Sequence, residues 1–244
     1  MLKKYTKEDA KQFSEGNKIL EEILLLCWEK DIDTNHCCAG HYMDNIDSLK
    51  AKENVEKEVI EFCMKNNTIQ NISPYLSIRG FDYNENFAHF IYGYVLNETI
   101  SVSNLAGWFI SVRPNTKMNL FAERNEDIFN TNVSRYFSKI LEMVKEYNPN
   151  IKYYSPYVDI AKTIQNIQND DEKVFMVGFR RNNLELLTET KLNLNIAEFK
   201  DRGKDIRPRY VYTFKDNSLV NDILNELKQQ MLLVQTDGGM REND

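Results

Sequence analysis

The chain has 244 residues and a formal charge of −6, from 31 Lys and Arg against 37 Asp and Glu, a balance that disfavours an extended nucleic-acid surface. Hydrophobic residues make up 42% of it, yet apolar runs such as 23–27 and 231–234 stop at four or five residues, short of the roughly 18 that cross a bilayer. With 9 Gly, 5 Pro and no internal repeat, the collagenous, low-complexity and solenoid classes are excluded as well.

A chain of this size buries about 70% of its unfolded surface and needs no disulfide to fold. Its charged start, with no apolar signal core, gives the expectation of a cytoplasmic protein with reduced thiols.

Thr6, with Asp9 three residues on, forms a capping-box pattern, and Phe13, Leu20, Ile23, Leu24 and Cys27 keep helical spacing, so one helix is predicted over about 7–29. Residues 31–34 break it. An extended stretch follows at 34–38, a turn at Gly40, a second helix at 51–65 with Val55, Val59, Phe62 and Cys63 inward, and a strand at 75–79. This helix-strand-helix-strand unit would let the second helix cross between two neighbouring strands.

Strands are predicted at 89–96 and 108–113, the latter stopped by Pro114. Helices are predicted at 132–147, ended by Asn148-Pro149, and at 157–167. A hairpin over 173–180 and 184–187, a strand at 209–214 and a closing helix at 218–234 complete the reading, with a frayed tail after 236. Strands and helices mix without strict alternation, which indicates an α+β fold: a mixed or antiparallel sheet with flanking helices. A subdomain boundary is placed near residue 120, giving units 1–120 and 121–244 that could equally form one continuous domain.

The densest chemistry lies in His36-Cys37-Cys38-Ala39-Gly40-His41, which holds two of the three histidines and two of the four cysteines. On a strand Cys37 and Cys38 face opposite sides, so Cys38 and His41, brought together by Gly40, form the natural pair. An imidazole beside a thiol can take its proton, giving a thiolate nucleophile or a metal ligand. Asp44, Asn45 and Asp47 follow closely, and Asp44 is the expected orienting carboxylate. Cys27, Cys37 and Cys63 are expected in the core. A zinc site would need Cys38, His41 and two of His36, Cys37, Cys63 and His89, and little or no bound metal or other cofactor is expected.

The run 26–41, followed by Pro74-Tyr75-Leu76-Ser77-Ile78, resembles a group of small uncharacterised proteins from AT-rich bacteria and their phages, in which a helix ends in a glycine turn before Thr and Cys-Cys-x-Gly-His. The likeness covers about the first 80 residues. Asp31 stands here where that group usually has Gly. The resemblance implies a shared local fold and brings no activity with it.

Charge is uneven along the chain. Residues 173–215 carry ten Lys/Arg against five Asp/Glu, and Arg180, Arg181, Arg202, Lys204, Arg207 and Arg209 are the candidate anion-binding set. No Walker A, Gly-x-Ser-x-Gly, His-Glu-x-x-His or Gly-x-Gly-x-x-Gly motif is present. Two functions are therefore expected. One is a small anionic or nucleotide-like ligand bound, or bound and transformed, at Cys38 and His41 with help from the basic loops. The other is a phage-type interaction protein that blocks a host defence complex.

Overall fold

A computed structural model describes residues 5–43, 71–94, 100–105, 109–114, 118, 120–167, 175–180, 183–188, 191–204, 209–214 and 221–229. In chain order these hold α1 (Lys7–Phe13), α2 (Lys18–Glu29), β1 (Thr34–Cys38), β2 (Tyr75–Arg79), α3 (Phe81–Gly93), β3 (Ile100–Leu105), β4 (Phe109–Pro114), α4 (Glu126–Glu146), α5 (Pro156–Ile167), β5 (Phe175–Arg180), β6 (Asn183–Thr188), β7 (Glu198–Asp201), β8 (Tyr210–Phe214) and α6 (221–229). The α+β expectation is met.

Eight strands form one sheet in the order β1-β2-β4-β3-β5-β6-β8-β7, and every pairing is antiparallel. The sheet runs unbroken across residue 120 because β3 pairs with β5. One buried core likewise draws on both halves, from Leu20, Ile23 and Leu24 on α2 to Phe137, Ile140 and Val144 on α4 and Tyr212 and Phe214 on β8.

The predicted helix over 7–29 is two helices. The capping box is formed as read, with Thr6 and Asp9 satisfying one another's backbone N–H groups. Then Glu15 and Gly16 turn left-handed, with φ of 52° and 85°, and Asn17 restarts the chain by accepting from the Ile19 and Leu20 N–H groups. A side-chain acceptor in place of backbone carbonyls makes such a restart cheap. Asp31 is also left-handed, at φ 56°, a conformation that aspartate visits more readily than most non-glycine residues.

The strand predicted at 89–96 is overturned, because 81–93 is helix α3. Aromatic content favoured a strand, but Phe87, Phe90 and Ile91 recur as buried residues at helical spacing, with Phe87 against Tyr147 and Phe90 against Tyr147 and Tyr153. The kink at Asn84 has a clear cause. Its carboxamide accepts from the Asp33 N–H and donates to the Asp33 and Arg79 carbonyls, tying α3 to the ends of β1 and β2. Strands β3 and β7 were not anticipated, and the predicted helix at 51–65 lies outside the described residues. Neighbouring β1 and β2 run antiparallel, so their connection is no parallel crossover.

Lys30, just past α2, donates three hydrogen bonds to the carbonyls of Val144, Lys145 and Tyr147 at the carboxyl end of α4. A cation there satisfies orphan acceptors and meets the negative end of the helix dipole. Lys30→Met keeps the stem and removes the donors. We expect it to lower stability by about 2 kcal/mol, read from the urea midpoint, with the slope unchanged.

Candidate functional site

Cys38 ends β1, an edge strand, and the turn after it is held at four points. The His41 N–H and C=O pair with the C=O and N–H of Ile72 at 2.9 Å each, and Gly40 sits at φ 83° against Pro74. The Met43 N–H donates to the buried Asn71 carboxamide, which in turn donates to the Leu120 and Glu123 carbonyls. From the other side of the strand edge, Glu15 Oε2 accepts from the Ala39 N–H at 3.1 Å.

The same Glu15 oxygen lies 3.0 Å from His41 Nε2. The ligand atoms of Glu15, Cys38 and His41 all lie within 4.8 Å of one another, so the His41 ring stands beside the Cys38 sulfur. The Gly40 N–H donates to Cys38 Sγ at 3.4 Å. Partnership with Cys38 first, and with Glu15 second, raises the His41 imidazole from its ordinary 6.5 to about 9, outweighing partial burial. At neutral pH the ring is therefore a cation set between a carboxylate and a sulfur.

The adjacent cysteines live in opposite surroundings. Register places Cys37 opposite Leu76 and Cys38 opposite Tyr75, and opposite residues share a face. Cys37 therefore turns toward the helix side, where its thiol donates to the Phe13 carbonyl at 3.3 Å. Burial, then the nearby Glu15 and Cys38, push it up to about 12. Full burial does the same to Cys27. Cys27 is a core thiol, as expected from sequence, whereas Cys37, expected in the core as well, is half-buried and packs against the core from the surface.

A cleft of about 360 Å³ opens on the Cys37 side, lined by Tyr5, Phe13, Glu15, Leu24, His36 and Cys37 among others. Glu15 is the one member of the trio that reaches it, while Cys38 is 8% exposed.

Sequence reasoning thus found Cys38, His41 and the role of Gly40, and missed Glu15. Asp44, the expected orienting carboxylate, lies outside the described residues, and the carboxylate seen against the His41 ring is Glu15, 23 residues upstream of Cys38. The Glu15-Gly16-Asn17 interruption was the available signal, because it ends a helix and turns a carboxylate out of its face. His36 lines the cleft on β1. His89 is structural: its Nδ1 accepts from the Ser155 N–H at 2.9 Å, so it leaves the zinc set considered from sequence. Cys63 lies outside the described residues.

The basic segment does not converge on this site. β1 forms one edge of the sheet and β8-β7 the other, six strand spacings and roughly 29 Å away from β1 to β8. Nor does the set converge on itself. Arg180 sits opposite Asn183 and Tyr210 opposite Thr188, so the ends carrying Arg180 and Arg209 lie five strand residues apart along β6, roughly 17 Å. Arg209 is engaged in a bidentate pair with Asp201, at 2.9 and 2.6 Å, that braces the β7–β8 turn. Lys204 is exposed on that turn beside Arg202, and Arg181 and Arg207 lie outside the described residues. The strands that carry or adjoin the described Arg180, Arg202 and Arg209 are thus set well apart from Cys38 by the strand order.

No family model matches the chain, and neither a curated protein nor a solved structure is significantly similar to it. No helix among the described residues is long and apolar enough to cross a membrane.

Proposed function

We propose that this chain binds a small electrophilic ligand at the β1 edge and attacks it with the sulfur of Cys38. The observation that carries the reading is the cluster Glu15–His41–Cys38, in which one imidazole lies 3.0 Å from a carboxylate oxygen and all three ligand atoms fall within 4.8 Å of one another. In this arrangement His41 can take the sulfur's proton as it attacks and return one to a leaving group, while Glu15 fixes the ring and favours its charged form. The left-handed φ of Glu15 supports the reading, since a non-glycine residue held there costs on the order of 1 kcal/mol and such strain concentrates at functional sites.

Acyl transfer is the reaction class that fits a thiol with a proton donor at hand. The sulfur adds to a carbonyl carbon, the leaving group departs with the proton from His41, and an acyl-thioester remains on Cys38 for water to cleave. p-Nitrophenyl acetate tests this at neutral pH. A burst of p-nitrophenolate approaching one equivalent, with the acetyl group found on Cys38 by peptide mass spectrometry and absent from Cys38→Ser, is expected. An acetyl group distributed over lysines, with none on Cys38, rejects it.

A further inference from the structure

We infer that Glu15, Cys38 and His41 also form an exchangeable zinc site that switches the Cys38 thiol off; the switching part rests on the nucleophile reading above. The donors are one thiolate, one imidazole and one carboxylate, the set that zinc accepts and that magnesium and calcium, which want several oxygens, do not. Their ligand atoms lie within 4.8 Å of one another, and the His41 and Glu15 atoms are already 3.0 Å apart. Zinc bonds of about 2.0–2.3 Å in a tetrahedron set donor atoms roughly 3.3–3.7 Å apart, so the trio need close by little more than 1 Å.

The backbone under these donors is prepared for that load. The Ile72 bonds pin His41, Pro74 packs on Gly40, and the Ala39 N–H holds the Glu15 carboxylate next to its neighbours. Backbone contacts of this kind, beyond the ligands themselves, orient metal ligands.

Cys37 is turned to the other face and His89 is held by Ser155, so neither adds a fourth ligand. Among the described residues no fourth ligand joins these three. With water in that position the centre would resemble catalytic rather than structural zinc sites, and three protein ligands make the ion removable by a chelator. Zinc would occupy the sulfur lone pair that attacks the ligand and displace the shared proton. The site is therefore either a nucleophile or a metal centre at any moment.

The test uses the full chain, reduced and stripped with a chelator, and cobalt(II) as a spectroscopic probe. One equivalent of cobalt should produce a thiolate-to-cobalt charge-transfer band with the strong visible bands of a four-coordinate ion, and one equivalent of zinc should erase them. Cys38→Ser should abolish the charge-transfer band, Cys37→Ser should leave it, and Glu15→Gln should weaken cobalt affinity roughly tenfold or more. In parallel, zinc should slow iodoacetamide labelling of Cys38 at least about tenfold, with chelator restoring the rate.

A charge-transfer band that survives Cys38→Ser in folded protein, no band at all, or labelling that zinc leaves unchanged overturns the switch. A metal-free Cys38 no more reactive than Cys37 removes the nucleophile reading and with it the switching. In that case the cobalt bands alone would carry the metal site.

Discussion

His41→Ala is expected to slow alkylation of Cys38 by iodoacetamide roughly tenfold at pH 7, and Glu15→Gln by a smaller factor in the same direction. Two groups stand beside the wild-type sulfur, the His41 ring within 4.8 Å and the Gly40 N–H at 3.4 Å, and the substitution removes the ring. In wild type Cys38 should label first, with Cys37 and Cys27 slower by about a hundredfold or more, since burial holds both thiols near 12. Peptide mapping over a time course gives all three rates from one sample.

The pH dependence follows from the direction of the His41 shift. Its value of about 9 in the folded chain lies above the ordinary 6.5, so the ring stays protonated throughout the neutral range. Wild-type Cys38 labelling should therefore show no inflection near 6.5, and the help from the imidazolium should fade as pH rises through about 9. The same proton contributes to stability in full below about 6.5, and that contribution is lost as pH rises through about 9. Urea midpoints of wild type and His41→Ala should thus converge above that pH and separate below it. Parallel midpoints across the whole range, with unchanged Cys38 labelling, would mean the ring is not coupled to the sulfur.

Gly40→Ala is expected to be the most destabilising single-methyl change in the described part of the chain, at about 2–4 kcal/mol. Two costs add. A side chain at φ 83° is strained, which is worth on the order of 1 kcal/mol, and the new Cβ would stand 2.9 Å from Pro74 Cδ and 3.1 Å from Pro74 N. Part of that clash is with backbone, which cannot rotate away. Gly16→Ala is the internal control: its φ of 85° is equivalent, but nothing lies within 4 Å of the new Cβ, so the strain alone should cost about 1 kcal/mol. If the two variants unfold at the same urea concentration, the packing of Pro74 on Gly40 contributes nothing. Because Gly40 also donates to Cys38 Sγ and precedes His41, its substitution should slow Cys38 labelling as well.

Much of this fold is legible in local pattern. The capping box at Thr6 and Asp9, the strands at 75–79 and 210–214 and the long helix ending before Pro149 all follow from periodicity and capping chemistry that operate within a few residues. Misreadings arise where two local signals compete. In 81–93 the aromatic content of a strand overlies the spacing of a helix, and the decision falls to Tyr147 and Tyr153, more than 50 residues away, which give the helical face something to pack on. Strand β3 gains its ladder from both β4 and β5, partners that its own residues do not announce.

For the site, the sequence by itself determined the pair. Cys38, Gly40 and His41 are so close that one turn must bring sulfur and ring together, and strand alternation alone sends Cys37 the other way. Only the tertiary structure decided what completes the pair and what does not. Glu15 arrives because the α1–α2 turn packs beside an edge strand whose free N–H at Ala39 needs an acceptor. The basic loops stay away because an eight-stranded order places β8 and β7 at the far edge, and strand order is set by burial and pairing over the whole chain rather than by charge in any segment.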